Sequence, residues 1–206
     1  MRARLRFVLV AFTLCLVAVS PVRGDLITNG SFEDASVDPG SSHLRLQSGS
    51  TVITGWTVGS GPIDYIGGTW QASDGARSID LSEHIPGEII AQDFATIINR
   101  TYTVTFDMAG NPDGGPIVKT LRVLAAGDSA DFAFDTTGKS RTNMGWEQKT
   151  WTFTAVADVT TLSFQSLTDT PYGPALDNVS VIPAPGAIVL GLMGLGAVGV
   201  WMRRYA

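Results

Sequence analysis

The sequence predicts an all-β fold, a sandwich of two antiparallel sheets with jelly-roll topology over residues 25–182. Three observations predict it. Apolar and polar side chains alternate at period two along this segment, without the spacing of three and four that marks an amphipathic helix. Clusters of turn-forming residues separate the alternating stretches. Eight or more short strands, each with one polar face, favour two sheets packed face to face in a single domain.

The alternation defines each predicted strand. It is clearest in TYTVTFDM at residues 101–108, where the four apolar side chains face one way and the threonines and Asp107 face the other. The stretch KTWTFTAV at 149–156 repeats the pattern with Trp151 inward, and Trp56 is also assigned to the core. The other predicted strands are 51–58, 88–95, 118–125, 131–136, 161–166 and 174–181, with turns at 111–116 and 135–145.

The first 24 residues predict a secretion signal. Three arginines among the first six residues precede an apolar stretch at 7–19, which is too short for a stable membrane span. Small residues follow at the cleavage positions before Asp25. The chain's one cysteine, Cys15, lies within this signal, so the exported domain is expected to lack disulfides, thiolate nucleophiles and cysteine metal sites.

The C-terminal segment, residues 183–206, predicts a sorting or anchor element. Pro183 and Pro185 open it, and their fixed φ angles are expected to hold the tail off the sandwich. The next 17 residues carry no charge and as a helix would be about 25 Å long, slightly less than a hydrocarbon core of about 30 Å. Arg203 and Arg204 then favour a cytoplasmic C-terminus with the domain outside.

Charge argues against nucleic acid as a partner. Six of the 14 basic residues lie in the two terminal segments, which leaves eight basic against 19 acidic residues in the domain, a net charge of −11. Such a surface repels phosphate backbones and favours cations as ligands. The alternative is that the acidic surface only keeps an exported domain soluble.

The residue types needed for most hydrolytic sites are missing. The chain has two histidines and no HExxH motif, and the stretch GDSAD at 127–131 has no histidine after its Ser129, so we interpret it as a turn. A pair of carboxylates acting as a glycosidase remains an alternative, because 19 acidic residues offer many pairs and sequence spacing does not give their separation.

Sugar binding requires fewer specialised residues than hydrolysis. An aromatic ring covers the apolar face of a sugar, while amides, carboxylates or an arginine bind its hydroxyls. We expect an exposed platform from Tyr65 and Trp70, which flank a glycine-rich turn, with core packing as the alternative for both. The polar candidates and one further ring lie in turns or at strand ends, and they are Arg77, Asn111, Asp113 and Tyr172.

The tail resembles the PEP-CTERM sorting signal of Gram-negative and related bacteria, with a short proline motif, a glycine-rich apolar run and terminal arginines. This chain has Pro-Ala-Pro at 183–185 where that family usually has Pro-Glu-Pro. The resemblance implies removal of the tail by an exosortase, a membrane cysteine protease, in an organism that makes extracellular polysaccharide. The alternative is a permanent single-span membrane anchor.

The domain resembles the choice-of-anchor C family, which is similar to galactose-binding-like jelly rolls and to many carbohydrate-binding modules. The stretches that carry this resemblance are LITNGSFE, ITGWTV, IDYIG, DGARSIDL, AGNPDGGP, DTTGKSRTNMGW and YGPALDNVSV. The resemblance implies a jelly-roll fold and an association with surface glycans. NGSFE and ALDNV also resemble ion-binding segments of jelly-roll modules, which implies a structural calcium ion (Ca2+) held by Glu33 and Asp177.

Together these expectations describe a secreted protein of the bacterial envelope or extracellular matrix. It is delivered by its tail, which enters the membrane at least transiently, and it binds extracellular polysaccharide without catalysis. The alternatives are a glycan-active hydrolase and a purely structural matrix protein without a ligand pocket.

Overall fold

The computed structural model describes residues 24–81 and 89–185 of the 206-residue chain, and all regular elements in this part are β-strands. No described segment is therefore a helix that is long and apolar enough to cross a membrane. The predicted signal helix and the predicted C-terminal helix, with Arg203 and Arg204, lie outside the described residues.

Eleven strands occupy the described part of the chain. They are β1 (His43–Leu46), β2 (Thr57–Val58), β3 (Ile63–Ile66), β4 (Ser78–Asp80), β5 (Ile89–Ala95), β6 (Thr101–Gly110), β7 (Val118–Ala125), β8 (Asp128–Asp135), β9 (Glu147–Thr154), β10 (Val159–Ser166) and β11 (Pro174–Pro183).

These strands form two antiparallel sheets that enclose one core. The six-stranded sheet has the order β1-β3-β4-β11-β6-β9, and the five-stranded sheet has the order β2-β5-β10-β7-β8. Every pairing between these strands is antiparallel. The predicted two-sheet antiparallel sandwich is confirmed.

The long strands follow the predicted alternation closely, and the short ones do not. In β6 the apolar side chains of 101–108 are buried as predicted, and the turns at 111–116 and 135–145 lie between strands. Of the predicted strand at 51–58, only Thr57–Val58 pairs in a sheet. Strands β1, β3 and β4 were not predicted, because elements of three or four residues are too short to show a period of two.

Aromatic rings link the two sheets through the core. The ring centroids of Phe32 and Trp56 are 5.1 Å apart, those of Trp56 and Phe164 are 6.5 Å apart, and Phe164 lies 5.1 Å from Phe106. The core position of Trp56 is therefore confirmed. Trp151 is only half-buried, because β9 is an edge strand and the ring therefore has neighbouring strands on one side only.

The N-terminal segment 25–30 is fixed to the last strand. The N–H of Leu26 donates to the carbonyl of Val181 at 2.9 Å, and the carbonyl of Gly30 accepts the N–H of Val179 at 2.9 Å. The first and last described segments of the domain therefore meet at β11, and the sandwich closes without a disulfide.

The five-stranded sheet also fixes this N-terminal segment. Gln92 of β5 is buried at a position where the alternation expects an apolar side chain. Its amide accepts the N–H of Thr28 at 2.7 Å and donates to the carbonyl of the same residue at 2.9 Å. This two-point contact gives both backbone groups of Thr28 a partner and ties the segment to the second sheet.

We predict that Gly30→Ala destabilises the domain, because a Cβ at this position would lie 1.8 Å from the carbonyl oxygen of Val179 in β11. Forcing an atom into this contact should cost about 1–3 kcal/mol in the free energy of unfolding. Thermal unfolding followed by circular dichroism measures the effect. Gly115→Ala is the matched control inside the domain, since nothing lies within 4 Å of its added Cβ. Equal melting temperatures for the two variants would contradict the prediction.

Candidate functional site

The long strand β11 separates two ends of the sandwich. Its first residue, Pro174, pairs with Gly110, and its last residue, Pro183, pairs with Tyr102. We call the end that holds the loops 111–117, 136–146 and 167–173 the Tyr172 end. We call the end that holds the loops 96–100 and 155–158, the β7–β8 turn and residues 182–185 the exit end. A ten-residue strand spans about 30 Å, so the two ends are well separated.

Among the phenylalanine, tyrosine and tryptophan rings in the described part of the chain, only that of Tyr172 is exposed, with 37% of the residue's surface accessible. The ring lies on the backbone of Gly114, where a Cβ would come within 2.3 Å of ring carbons Cδ2 and Cε2. Only glycine therefore leaves room for this ring. The hydroxyl of Thr170 donates to the carbonyl of Gly115 at 2.9 Å and joins the two loops that carry the contact.

Two polar candidates from the sequence lie just before Gly114, and the N–H of Asn111 donates to the carbonyl of Gly173, the residue after Tyr172, at 2.9 Å. Asn111 is buried, and its amide donates to Oδ2 of Asp80 at 2.8 Å while its oxygen accepts the N–H of Asp113 at 3.0 Å. The carboxylate of Asp113 accepts two hydrogen bonds from Arg141, from Nε at 2.9 Å and from Nη2 at 2.6 Å. Arg141 is more than half exposed, so this ion pair faces solvent at the Tyr172 end.

Lys119 lies beneath the same loop and was not among the predicted site residues. It is 0% exposed, and its Nζ donates to the carbonyl of Gly114 at 2.6 Å and lies 6.0 Å from the centroid of the Tyr172 ring. Burial lowers the pKa of Lys119, and the charge of Asp80 opposes that shift. The lysine thus fixes the backbone on which the exposed ring rests. Its signal in the sequence is a lysine at an inward position of β7.

Tyr65 and Trp70 do not form the predicted exposed platform. Tyr65 is 1% exposed, because β3 lies between β1 and β4 and its ring packs into the core. Its hydroxyl donates to the carbonyl of Phe32 at 2.6 Å, and burial raises the pKa of Tyr65 to about 12. Trp70 is also buried and donates from Nε1 to Oγ of Ser78 at 2.9 Å. The core alternative is correct for both rings.

Arg77 is engaged away from the Tyr172 end. Its Nη2 donates to Oδ1 of Asp38 at 2.7 Å, and its Nη1 donates to the carbonyl of Ala76 at 3.0 Å. Of the six residues predicted to bind sugar, the structure thus brings together Asn111, Asp113 and Tyr172.

Glu33 and Asp177 hold one loop, residues 73–77, through backbone groups. Oε1 of Glu33 accepts the N–H groups of Ala76 and Arg77, each at 2.7 Å. Oδ2 of Asp177 accepts the N–H groups of two further loop residues, Ser73 at 2.8 Å and Asp74 at 2.9 Å, and Oδ1 accepts the N–H of Asn178 at 2.7 Å. The two carboxylates therefore fasten the β3–β4 connection over the six-stranded sheet.

The calcium ion at Glu33 and Asp177 stays a prediction. Three of the four carboxylate oxygens of this pair accept backbone N–H groups, namely Oε1 of Glu33 and both oxygens of Asp177. Calcium takes six to eight oxygen ligands, so an ion here would need backbone carbonyls as well, because no three histidine, cysteine or acidic side chains are grouped within 24–81 and 89–185. The hydrogen bonds of the pair by themselves already hold the loop on the sheet.

Asp107 is buried, although the alternation places it on the polar face of β6. The reason is the loop that Glu33 and Asp177 hold in place. Ser73 of this loop donates its hydroxyl to Oδ2 of Asp107 at 2.6 Å, and Asn178 donates its amide to the same oxygen at 3.0 Å. The outer face of the six-stranded sheet is thus covered here, and two neighbouring acidic side chains are enclosed.

A comparison with known protein families places the chain. A family model described as a protein of unknown function, DUF642, matches residues 25–182. The chain belongs to the DUF642 family. Halomucin from Haloquadratum walsbyi is 34% identical to this DUF642 chain over 185 residues, which make up 88% of the chain and 2% of Halomucin. The chain therefore spans only a small fraction of this relative.

Solved structures similar to the DUF642 domain share its fold. An arabinose-bound α-L-arabinofuranosidase matches with a TM-score of 0.52 and 14% identity, over 79% of this chain and 27% of that one. The CBM22-1 xylan-binding domain of Xyn10C from Paenibacillus barcinonensis matches with a TM-score of 0.48 and 14% identity, over 69% and 94% of the two chains. A family 61 carbohydrate-binding module in complex with β-1,4-galactotriose matches with a TM-score of 0.44 and 13% identity, over 78% of this chain and 99% of that one. At 14% identity, the match to the arabinofuranosidase, whose TM-score is above 0.5, supports the fold alone.

The buried carboxyl of Asp177 predicts a pH dependence for the stability of the DUF642 domain. Burial raises its pKa to about 7, against the opposing effect of its three backbone donors. An aspartate in the unfolded chain has a pKa of about 3.9. Between these values the folded state binds the proton more strongly than the unfolded state, so this group stabilises the fold at low pH. Its contribution falls by at most about 1.4 kcal/mol per pH unit as the pH rises from about 4 to 7.

Denaturant unfolding at intervals between pH 4.5 and 7.5 checks this prediction. In Asp177→Asn, the part of the decline that belongs to this carboxyl should disappear. Asp158→Asn, a substitution on the exposed surface, controls for the loss of one acidic side chain. If Asp177→Asn and Asp158→Asn give parallel curves, Asp177 is not the group that titrates.

Proposed function

We propose that this protein is a non-catalytic carbohydrate-binding module of the cell envelope or extracellular matrix, and that it binds polysaccharide at the Tyr172 end. The observation that carries the proposal is the exposed ring of Tyr172, which lies on Gly114, and Gly114 directly follows Asp113, the residue paired with Arg141. An aromatic ring buries the apolar face of a sugar, while charged groups at its edge bind hydroxyls.

Each residue at this end has a distinct role in the proposed site. The Tyr172 ring stacks on a sugar ring. The guanidinium of Arg141 donates to sugar hydroxyls, and the carboxylate of Asp113 accepts from them while holding the guanidinium in place. Lys119 and Asn111 stay buried and position the loop from below, through the Gly114 carbonyl and the Asp113 N–H. A site with one exposed ring is expected to bind a single sugar unit weakly.

The paired acidic side chains support binding rather than hydrolysis. Asp107 and Asp177 are opposite each other on β6 and β11, but both are buried beneath the β3–β4 connection. Their oxygens accept hydrogen bonds from the backbone, from Ser73 and from Asn178. They therefore do not form an open acid and base pair on either side of a glycosidic bond.

The proposed route to the envelope uses both ends of the chain. Residues 1–24 direct export, and the apolar run at 186–202 inserts in the membrane until an exosortase removes the tail, as the resemblance of residues 183–206 to the PEP-CTERM signal implies. The structure alters one detail, because Pro183 belongs to β11 and the N–H of Ala184 donates to the carbonyl of Thr101 at 2.9 Å. The proline motif therefore begins inside the sheet rather than after it.

We predict that Tyr172→Ala weakens glycan binding with little effect on stability, because the ring is exposed and contributes little to the core. Loss of the stacking surface should reduce affinity roughly tenfold or more, which corresponds to about 1.4 kcal/mol. A glycan array followed by calorimetry with the best ligand measures this, and a thermal melt checks the fold. Ile98→Ala is the matched control, since it removes an exposed apolar side chain at the exit end.

Two outcomes would contradict the proposed site. Unchanged affinity in Tyr172→Ala would place any glycan site elsewhere on the domain. If the wild-type protein binds no glycan on the array, the structural matrix protein becomes the better interpretation. Release of product from a bound glycan would favour the hydrolase.

Processing of the tail makes a separate prediction. Mass spectrometry of the protein recovered from the envelope or matrix should find Asp25 as its first residue and no peptide from residues 186–202. Detection of an intact C-terminal Ala206 would leave the tail as a permanent anchor.

A further inference from the structure

The exit end carries an unusual concentration of exposed apolar side chains. Two consecutive isoleucines, Ile97 and Ile98, occupy the turn between β5 and β6, and they are 59% and 54% exposed. The turn between β9 and β10 adds Val156 and Val159, and Ile182 near the end of β11 is exposed as well. Turns in solvent are normally polar, so an apolar cluster of this kind points to an interaction surface.

Backbone hydrogen bonds hold these turns together as one surface. The N–H of Thr96 donates to the carbonyl of Asp158 at 2.8 Å, and the N–H of Asn99 donates to the carbonyl of Ala155 at 2.8 Å. The exposed isoleucines lie between these two contacts. Their positions are therefore fixed by the fold and do not depend on a flexible loop.

The same surface is where the chain leaves the domain. Pro183 is the last residue of β11, and Ala184 is hydrogen-bonded to Thr101, directly after the β5–β6 turn. The uncharged run at 186–202 begins two residues later. Three residues extend the chain by about 10 Å at most, so whatever receives the run must lie within about that distance of the exit end.

We infer that the exit end lies against the surface of a lipid bilayer while the tail is in the membrane, with the exposed isoleucines and valines in the interfacial region. This inference rests on the membrane insertion proposed above. A bilayer is the occupant that the geometry favours, because insertion of residues 186–202 brings the apolar turns to the lipid headgroups with no linker in between. Apolar side chains at this depth gain by leaving water.

The charged side chains at the exit end do not favour binding to anionic lipid. Arg100 lies two residues after Ile98, Asp158 lies in the β9–β10 turn, and Asp128 is the first residue of β8. Asp25 is also here, since its Oδ1 accepts the N–H of Val181 at 2.9 Å. One basic and three acidic side chains give no net attraction for a negative surface, so the contact depends on apolar burial. Vesicles of zwitterionic phosphatidylcholine are therefore the appropriate probe.

A competing occupant is the tail itself. An open depression of about 380 Å³ lies at the exit end of the five-stranded sheet, and its lining includes Leu124, Val156 and Val159. A tail folded back onto this depression would cover the same side chains. The fixed φ angles of Pro183 and Pro185 oppose a sharp return of the chain, and the experiment below distinguishes the two occupants.

The test places one environment-sensitive fluorophore at each end of the sandwich, in a chain that begins at Asp25 and keeps the whole tail. Nitrobenzoxadiazole is attached to Ile98→Cys or to Ile117→Cys, and residues 25–206 contain no other cysteine. Ile117 is the matched position, because it is an isoleucine with 61% exposure at the Tyr172 end. The labelled proteins are reconstituted into phosphatidylcholine vesicles with and without spin-labelled lipid that quenches fluorescence near the interface, and co-flotation confirms association.

We expect quenching at position 98 to exceed that at position 117 several-fold. The double substitution Leu192→Arg and Leu195→Arg should bring position 98 down to the level of position 117, since arginines at the centre of a membrane segment oppose insertion. Equal quenching at the two positions in a chain that floats with the vesicles would overturn the inference. A blue-shifted but unquenched label at position 98 would also overturn it and assign the surface to the tail.

A chain that does not float with the vesicles would overturn both this inference and the proposed membrane insertion. Glycan binding at the Tyr172 end would be unaffected by that result, because it is measured in solution without lipid. The glycan site thus fails separately from membrane insertion, and equal quenching in a chain that floats overturns the contact inference while membrane insertion stands.

Discussion

The ladder between β6 and β11 is the interaction on which the rest of the domain depends. Both strands have ten residues, and β11 lies at the centre of the six-stranded sheet, between β4 and β6. The N-terminal segment adds hydrogen bonds to the same strand. One strand therefore joins the beginning, the middle and the end of the domain. Because these contacts bridge residues far apart in sequence, the positions of the loops at either end of β11 depend on this ladder.

An irregularity in this ladder organises the outer face of the sheet. The register shifts between Asp177 and Ser180, and Asn178 adopts a positive φ of 49° there. The shift lets the carboxylate of Asp177 accept three backbone N–H groups, two of them from the β3–β4 connection. Gln92 and Lys119 act in the same way on the backbone of Thr28 and Gly114. A domain without cysteine is thus closed by buried polar side chains that satisfy backbone groups.

Local pattern was sufficient for the strands and insufficient for the site. Period-two alternation located all seven strands of seven or more residues, because strands of this length repeat the pattern several times. It did not reveal that a loop covers the outer face at Asp107, since the contact with Ser73 joins residues 34 apart. Tyr65 and Tyr172 both lie near glycines in the sequence. Tyr65 is buried because β3 is paired with β1 on one side and β4 on the other, and no local pattern in the sequence indicates that pairing.

A charged residue at an inward strand position is a sequence signal for the Tyr172 end. Lys119 occupies an inward position in a strand whose other inward residues are apolar, such as Leu121 and Val123. A lysine there must find an acceptor, because burying an unpaired ammonium is costly. Its acceptor is the carbonyl of Gly114, under the exposed ring. A charged residue that breaks the alternation therefore pointed to the Tyr172 end.

The placement of the two ends on one strand separates the proposed tasks of the molecule. Sugar would contact the domain before β11 begins, whereas the tail would leave it where β11 finishes, about 30 Å away. Cleavage beyond Pro185 would not disturb the pairing of Pro183 with Tyr102 or the bond from Ala184 to Thr101. The strand would keep its register after the tail is lost, and the loop that precedes Pro174 would keep its position. Processing would therefore change how the domain is held at the envelope, and the Tyr172 ring would still lie on Gly114.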